Sequence, residues 1–206
     1  MRIVCISDTH NKHNEINIPD GDLLIHSGDL SIDGTVEEIK NFNEWLGNLN
    51  HKYKIFIAGN HDFLFEGNPI TAKSLITNAI YLENSGLNIE GLNIWGSPAN
   101  LRFYDGAFNK EAGEDIKKVW DLIPDNTDIL ITHNPPYMIL DKIHSGKNIG
   151  CNELAKKILE IKPKLCIFGH VHDGYGVQKK DDITYINASN LNRNSVPTNE
   201  PIIFDI

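Results

Sequence analysis

The sequence predicts a layered α/β fold with mixed β-sheets. Three observations predict it: short apolar runs recur and stop at polar, often glycine-marked, positions; helical patterns lie between them; and two runs around Gly86 and Gly91 read as a hairpin.

In chain order, Arg2 to Ile6 is a strand that runs into Ser7-Asp8-Thr9-His10, and Leu23 to Ile25 is a strand that runs into Gly28-Asp29. A helix is predicted over Thr35 to Asn50, where Thr35 and Glu38 make a capping box and Val36, Ile39, Phe42, Leu46 and Leu49 recur on one face. Lys54 to Ala58 is a strand ending at Gly59-Asn60-His61-Asp62. Pro69 to Asn78 is a short helix with Pro69 in its first turn. Strands follow at Ile80-Tyr81-Leu82 and within Leu87 to Trp95. Ser97 to Asp115 is then long and irregular, and a helical pattern covers Asn109 to Leu122. Ile129 to Thr132 is a strand before His133-Asn134-Pro135-Pro136. Asn152 to Ile161 is a helix with Leu154, Ala155, Ile158 and Leu159 on one side and Pro163 closing it. Leu165 to Phe168 is a strand before Gly169-His170-Val171-His172, and Ile183 to Ala188 and Ile202 to Asp205 are the last strands.

Composition narrows the function. The 206 residues suit one domain spanning 1–206, with ordinary apolar (40%) and charged (23%) fractions. The formal charge of −9 argues against general nucleic-acid binding, which calls for a basic stripe, although bound metals reverse local charge and leave a phosphate substrate open. Cys5, Cys151 and Cys166 are widely spaced with no CxxC pair, so they read as buried, inert thiols rather than a zinc site. No apolar run approaches the ~18 residues of a membrane span, and the N-terminus does not read as a signal peptide; a cytoplasmic location is expected.

The chemistry lies just past the strands, where open α/β sheets bind ligands. Five strand ends carry Asp, Asn or His. Asp8 and His10, two apart, face the same way if the segment is extended, and His170 and His172 repeat the spacing. Asp29 offers a carboxylate able to bridge two ions, Asn60 an amide oxygen and His133 an imidazole. This oxygen and nitrogen set suits Mn, with Fe, Zn, Co and Ni as alternatives. Two divalent ions against two carboxylates leave a positive site, suited to a bridging hydroxide and a phosphate oxyanion. His61, beside Asn60, is the candidate general acid, with Asp62 or Asp33 as the acid that orients it.

As an ordered set, Asp8-x-His10, Gly28-Asp29, Gly59-Asn60-His61-Asp62, His133 and Gly169-His170-x-His172 resemble the calcineurin-like metallophosphoesterase superfamily. Gly174-Tyr175-Gly176, Thr184 to Ser189 and Pro197 to Asp205 are similar to its metallophosphoesterase domain-containing branch, related to class III cyclic nucleotide phosphodiesterases. The resemblance implies a four-layer sandwich of two mixed β-sheets flanked by helices. It implies one metal held by Asp8, His10, Asp29 and His172, a second held by Asp29, Asn60, His133 and His170, and His61 as the catalytic histidine. Some animal members of the branch have glycine at the position of His170, so this chain carries the fuller ligand set. The Asp-Arg-Gly element of the protein phosphatases is absent after Asp29, which disfavours that activity.

Other polar residues invite weaker readings. His26 is expected in the core or behind a ligand. His13, His51 and His144 are expected in solvent or loops, with substrate contact by His13 as the alternative. Arg102 and Arg193 are either solvated or phosphate-clamping. Ser97 to Asp115 and Asn134 to Gly150 are candidate substrate walls, which makes Asn134 a candidate contact. The function expected is hydrolysis of a small phosphodiester, a cyclic nucleotide among the choices, against a phosphomonoesterase or nuclease within the fold and a non-catalytic scaffold outside it. The expected partner is a small phosphate ester, with neither membrane nor nucleic acid, and a homodimer is compatible with open sheet edges.

Overall fold

In the first strand, Ile3 and Cys5 pack on one face while Val4 and Ile6 pack on the other, and all four are buried. An apolar run that alternates between two cores needs both faces of its sheet covered, and the computed structural model, which describes residues 1–206, shows what covers them. The strands are β1 (Arg2–Ile6), β2 (Leu23–Ser27), β3 (Tyr53–Ile57), β4 (Ile80–Tyr81), β5 (Ser85–Ile89), β6 (Leu92–Ser97), β7 (Asn100–Leu101), β8 (Asn109–Lys110), β9 (Ile129–Thr132), β10 (Leu165–Phe168), β11 (Gly176–Lys180), β12 (Ile183–Asn187) and β13 (Ile202–Asp205). The helices are α1 (Val36–Gly47), α2 (Phe63–Gly67), α3 (Pro69–Leu75), α4 (Glu114–Trp120) and α5 (Asn152–Ile161).

One sheet has the order β13-β1-β2-β3-β4, with β13 antiparallel and the rest parallel. The other has the order β11-β12-β10-β9-β6-β5, parallel at its centre with an antiparallel hairpin on each side. Between the sheets lie Ile25, Ile55, Ile94, Ile131, Ile167 and their neighbours. On the outer side of the first sheet, α1 contributes Ile39, Phe42, Trp45 and Leu46. Outside the second, α4 and α5 contribute Ile116, Trp120, Leu154, Ile158 and Ile161. The result is helix, sheet, sheet, helix. Each fully buried aliphatic side chain contributes about 1.5–3 kcal/mol, so truncating Ile25 or Ile167 to Ala opens a cavity between the sheets at a cost of about 2–5 kcal/mol.

Helix α1 starts where its capping box says: Glu38 N–H donates to Thr35 Oγ1 (3.3 Å) and Thr35 N–H donates to Glu38 Oε2 (2.7 Å). The helical pattern at Asn109 to Leu122 is corrected. Asn109–Lys110 instead pairs with Asn100–Leu101, and Gly113, with φ +86°, stops the helix from beginning before Glu114. Strand β11 and the short helix α2 lack a pattern strong enough to be read from sequence.

Candidate metal centre

Strands β1, β2 and β3 of one sheet and β9, β10 and β12 of the other end at a common edge, which the Ser7–Ser189 bridge joins. Asp8, Asp29, Asn60, His133 and His170 each follow one of these ends and converge. Asp8, His10 and His172 place ligand atoms within 4.8 Å of one another, as do Asp29, His133 and His170, and as do His10, Asp29 and His61. Asn60 Oδ1 lies 3.0 Å from His133 Nε2. Asp29 Oδ2 faces His133 Nε2 at 3.3 Å and His10 Nε2 at 3.7 Å, so it adjoins both main clusters.

The local backbone differs from the extended segment that the two-residue spacing suggests. Asp8, His10 and Asn11 have φ of 52°, 39° and 62°, and Asp29 and His170 are left-handed as well. Asp and Asn tolerate this region best among side-chain-bearing residues, and each such position still costs about 1–3 kcal/mol. Tertiary hydrogen bonds hold them: Asp8 N–H donates to Gly28 O, His10 N–H to Asp29 O and Asn11 N–H to Leu30 O. The packing is so close that a Cβ at Gly169 would collide with Asp8 Oδ2 and Ser7 Oγ, and one at Gly59 with the Asp29 carboxylate.

The histidines are pre-oriented. His10 Nδ1 faces Ser31 O (3.1 Å), His133 Nδ1 faces Ser27 O (2.9 Å) and His172 Nδ1 faces Asn192 O (3.0 Å). A carbonyl oxygen only accepts, so Nδ1 carries the proton and Nε2 is turned toward the carboxylates, the arrangement usual behind metal-binding imidazoles. Asp8 is fixed by Ser189 Oγ–H (2.7 Å) and by His170 N–H (3.0 Å).

The electrostatics favour cations here. Burial opposes ionisation of Asp8 and Asp29, but the surrounding histidines outweigh it and hold both below the usual carboxylate range. Burial likewise opposes charge on His133 and His172, yet Asp29 and Asp8 push these imidazoles up to about 9. Burial and the neighbouring His133 push His170 down to about 4. The ion pairs of both buried carboxylates are to histidine, with no lysine or arginine among them. Two buried carboxylates, an amide oxygen and inward-facing Nε2 atoms fit a pair of divalent ions.

His61 lines the same cleft, with Nδ1 2.8 Å from Ile32 O. Neither acid proposed to orient it does so. Asp62 is fully buried and takes N–H bonds from Gly59 (2.7 Å) and Ser31 (3.0 Å), tying the β2 and β3 loops together; burial, then Asp29, pushes its carboxyl up to about 6. Asp33 is exposed, and its N–H donates to Glu38. The capping glutamate also accepts from Ile32 N–H at 2.9 Å, so α1 positions the carbonyl that holds His61.

Other expectations shift too. His13 is buried against Phe42 and Trp45 and bonded to Asn41 Oδ1 (2.8 Å), away from the cleft lining, so it is neither solvated nor a substrate contact. His51 is buried as well, while His144 is exposed at the cleft. His26 is buried with Nε2 2.9 Å from Thr9 Oγ1. Arg102 and Asn134 line the cleft, but Arg102 pairs with Glu111, and Asn134 spends its amide on Leu101 N–H and Pro135 O. Arg193 also lines the cleft. The three cysteines are buried and free, and no helix is long and apolar enough to cross a membrane. Sequence reading passed over Ser189, although it too follows a strand, and Lys12, whose type at a loop carries no signal.

The profile of the calcineurin-like phosphoesterases matches residues 1–174. The chain belongs to this family. It is 40% identical to human metallophosphoesterase domain-containing protein 1 over 230 aligned residues, covering 100% of this chain and 71% of that one. It is 23% identical to a 3',5'-cyclic-nucleotide phosphodiesterase of Nostoc, over 78% of this chain and 59% of that protein. Among solved structures, TT1561 of Thermus thermophilus shares the fold, with a TM-score of 0.57 at 14% identity over 90% of this chain and 88% of that one.

Proposed function

We propose that this family member is a phosphodiesterase acting on small phosphodiesters with two divalent ions, manganese first among the candidates. One observation carries the reading: Asp29 Oδ2 faces His10 on one side and His133 on the other, so one carboxylate serves two adjoining donor clusters. Asp8, His10, Asp29 and His172 would hold the first ion, and Asp29, Asn60, His133 and His170 the second. Ions so held would supply a nucleophile from water at neutral pH, and positive charge for the phosphoryl oxygens.

The chain's own residues do the rest. Ser27, Ser31 and Asn192 hold the imidazoles in one tautomer through their carbonyls. His61 Nδ1–H donates to Ile32 O, which turns Nε2 to the cleft, where, once Nε2 is protonated as well, the imidazolium gives that second proton to the departing ester oxygen. In balance, water contributes hydroxide to phosphorus and a proton to the leaving alcohol. The cleft above the centre encloses about 800 Å³, roomy for a nucleotide-sized ester. The similarity to a cyclic-nucleotide phosphodiesterase supports a diester and makes cyclic nucleotides the first natural compounds to screen.

The test is hydrolysis of bis-p-nitrophenyl phosphate beside p-nitrophenyl phosphate with Mn²⁺. Metal-dependent cleavage, faster on the diester, is expected. Faster cleavage of the monoester would make the protein a phosphomonoesterase, and no turnover of either with any divalent ion would favour a scaffold.

A further inference from the structure

The cleft wall has the opposite charge balance to the chain. Four lysine or arginine side chains line it (Lys12, Arg102, Lys147 and Arg193) against two carboxylates, Asp29 and Asp173. The whole chain has 19 lysines and arginines against 28 aspartates and glutamates. Asp29 belongs to the donor clusters, and Arg102 is engaged by Glu111. Lys12, Lys147 and Arg193 form no pair with any carboxylate.

Two of these cations are built into the side of the cleft lined by His10 and His172. Lys12 stands two residues after His10, and its Nζ donates to Ser195 O at 2.6 Å. Arg193 follows Asn192, whose carbonyl holds His172 Nδ1 at 3.0 Å. The turn that presents Arg193 is closed by Asn192 itself, whose N–H donates to Val196 O (2.9 Å) and whose side-chain oxygen accepts from Asn194 and Val196 N–H (2.9 and 3.2 Å). Arg193 therefore stands on a stapled turn that Lys12 braces at Ser195, and both side chains line the cleft.

A scissile phosphate does not need these cations. Two divalent ions against two carboxylates already leave positive charge for one phosphoryl group. Cations lining a cleft raise the local concentration of anionic ligands, and two that stand outside the donor set are free to meet charge elsewhere on the ligand. We infer that Lys12 and Arg193 form a second anion subsite, and that the preferred substrate is a phosphodiester carrying a second phosphate on the part of the molecule lying toward His10 and His172. This rests on the phosphodiesterase reading and narrows it, because a cyclic mononucleotide has no second phosphate. Asp173, held by His144 N–H at 2.9 Å, also lines the cleft.

A matched pair of probes tests it. Thymidine 5'-(p-nitrophenyl phosphate) and its 3'-phosphorylated counterpart differ only in the second phosphate, and both release p-nitrophenolate. The metal-loaded enzyme is expected to favour the 3'-phosphorylated probe by about tenfold in kcat/KM at low ionic strength, the scale of a charge-assisted contact at a solvated site, with the preference shrinking as salt rises. In Lys12→Gln/Arg193→Gln the ratio should fall to near one. Loss of folded enzyme lowers both rates alike and leaves the ratio in place, so the ratio alone reports the subsite. A wild-type ratio at or below one overturns the second-phosphate inference while turnover of the simpler probe sustains the phosphodiesterase reading. A tenfold ratio that survives the double substitution overturns the assignment to Lys12 and Arg193. If neither probe turns over with any divalent ion, both readings fall.

Discussion

Asp29 divides its carboxylate between two tasks: Oδ1 accepts the backbone N–H of His61 at 2.8 Å, and Oδ2 faces the imidazoles of His133 and His10. The oxygen that orders the candidate acid is thus joined to the oxygen that adjoins both donor clusters. Asp29→Asn keeps the shape and an acceptor for His61 N–H, but removes the charge and turns an NH₂ group toward one of these partners. Bound metal is expected to fall well below two equivalents, and kcat/KM by more than about 100-fold, the upper end of what losing a group behind a ligand costs. Elemental analysis and diester hydrolysis on the same sample check it, and retained metal with retained activity would remove Asp29 from the shared position.

On the proposed reading His61 transfers a proton rather than binding an ion, because the proposed eight-point ligand set is complete without it. His61→Asn should retain both ions and lose about 10²–10⁴-fold in kcat, the usual worth of general acid–base catalysis. The loss should be smaller on p-nitrophenyl esters, whose leaving group needs little protonation, than on alkyl esters. An equal loss on both, or a drop in metal content, would make His61 a ligand instead.

Asp62 and Asp33, alike as candidates in sequence, separate in structure. Asp62 satisfies the buried N–H groups of Gly59 and Ser31 from a position with no exposure. Asp62→Asn confronts one of those donors with an NH₂ group, at a cost of about 1–3 kcal/mol, and frees the loops that carry Asp29 and Asn60. Asp33→Ala, at an exposed side chain, should stay within about 0.5 kcal/mol of the parent. Urea unfolding of both variants decides, and equal stabilities would show that Asp62 does not tie the loops.

The parts legible in sequence were those that depend on local pattern. Strands such as Ile129–Thr132 and Leu165–Phe168 are buried on both faces, so they read as unbroken apolar runs between turn residues. The strand-end residues were legible only as a set, because Asp or Asn after any one strand is ordinary turn chemistry, whereas five such ends carrying Asp, Asn or His are not. What escaped is tertiary. Asp8 and His10 converge through left-handed backbone held by Gly28 and Asp29, and the extended reading reached the right neighbours by the wrong geometry. His13 looks like a loop histidine until Phe42 and Trp45 close over it. His61 is oriented by a backbone carbonyl, and no side-chain pattern reports a carbonyl.

Metal loading should also be visible in stability. Asp8 and Asp29 are buried carboxylates whose ion pairs are to histidines alone, so an ion that binds only the folded chain stabilises it by mass action. At a hundredfold excess over Kd this amounts to about 2.7 kcal/mol per site, or a rise of about 5–10 °C in Tm for a chain of this size. Chelation followed by Mn²⁺ titration in a thermal melt measures it. Gly169→Ala supplies the contrast, since its Cβ would press on Asp8 Oδ2 and Ser7 Oγ and displace the first ligand without altering any donor. That variant should melt lower than the parent when metal-free and gain less from Mn²⁺. A parent Tm indifferent to every divalent ion would mean that the clustered histidines and carboxylates are an ion-pair network closed on itself, and the metal centre would be withdrawn.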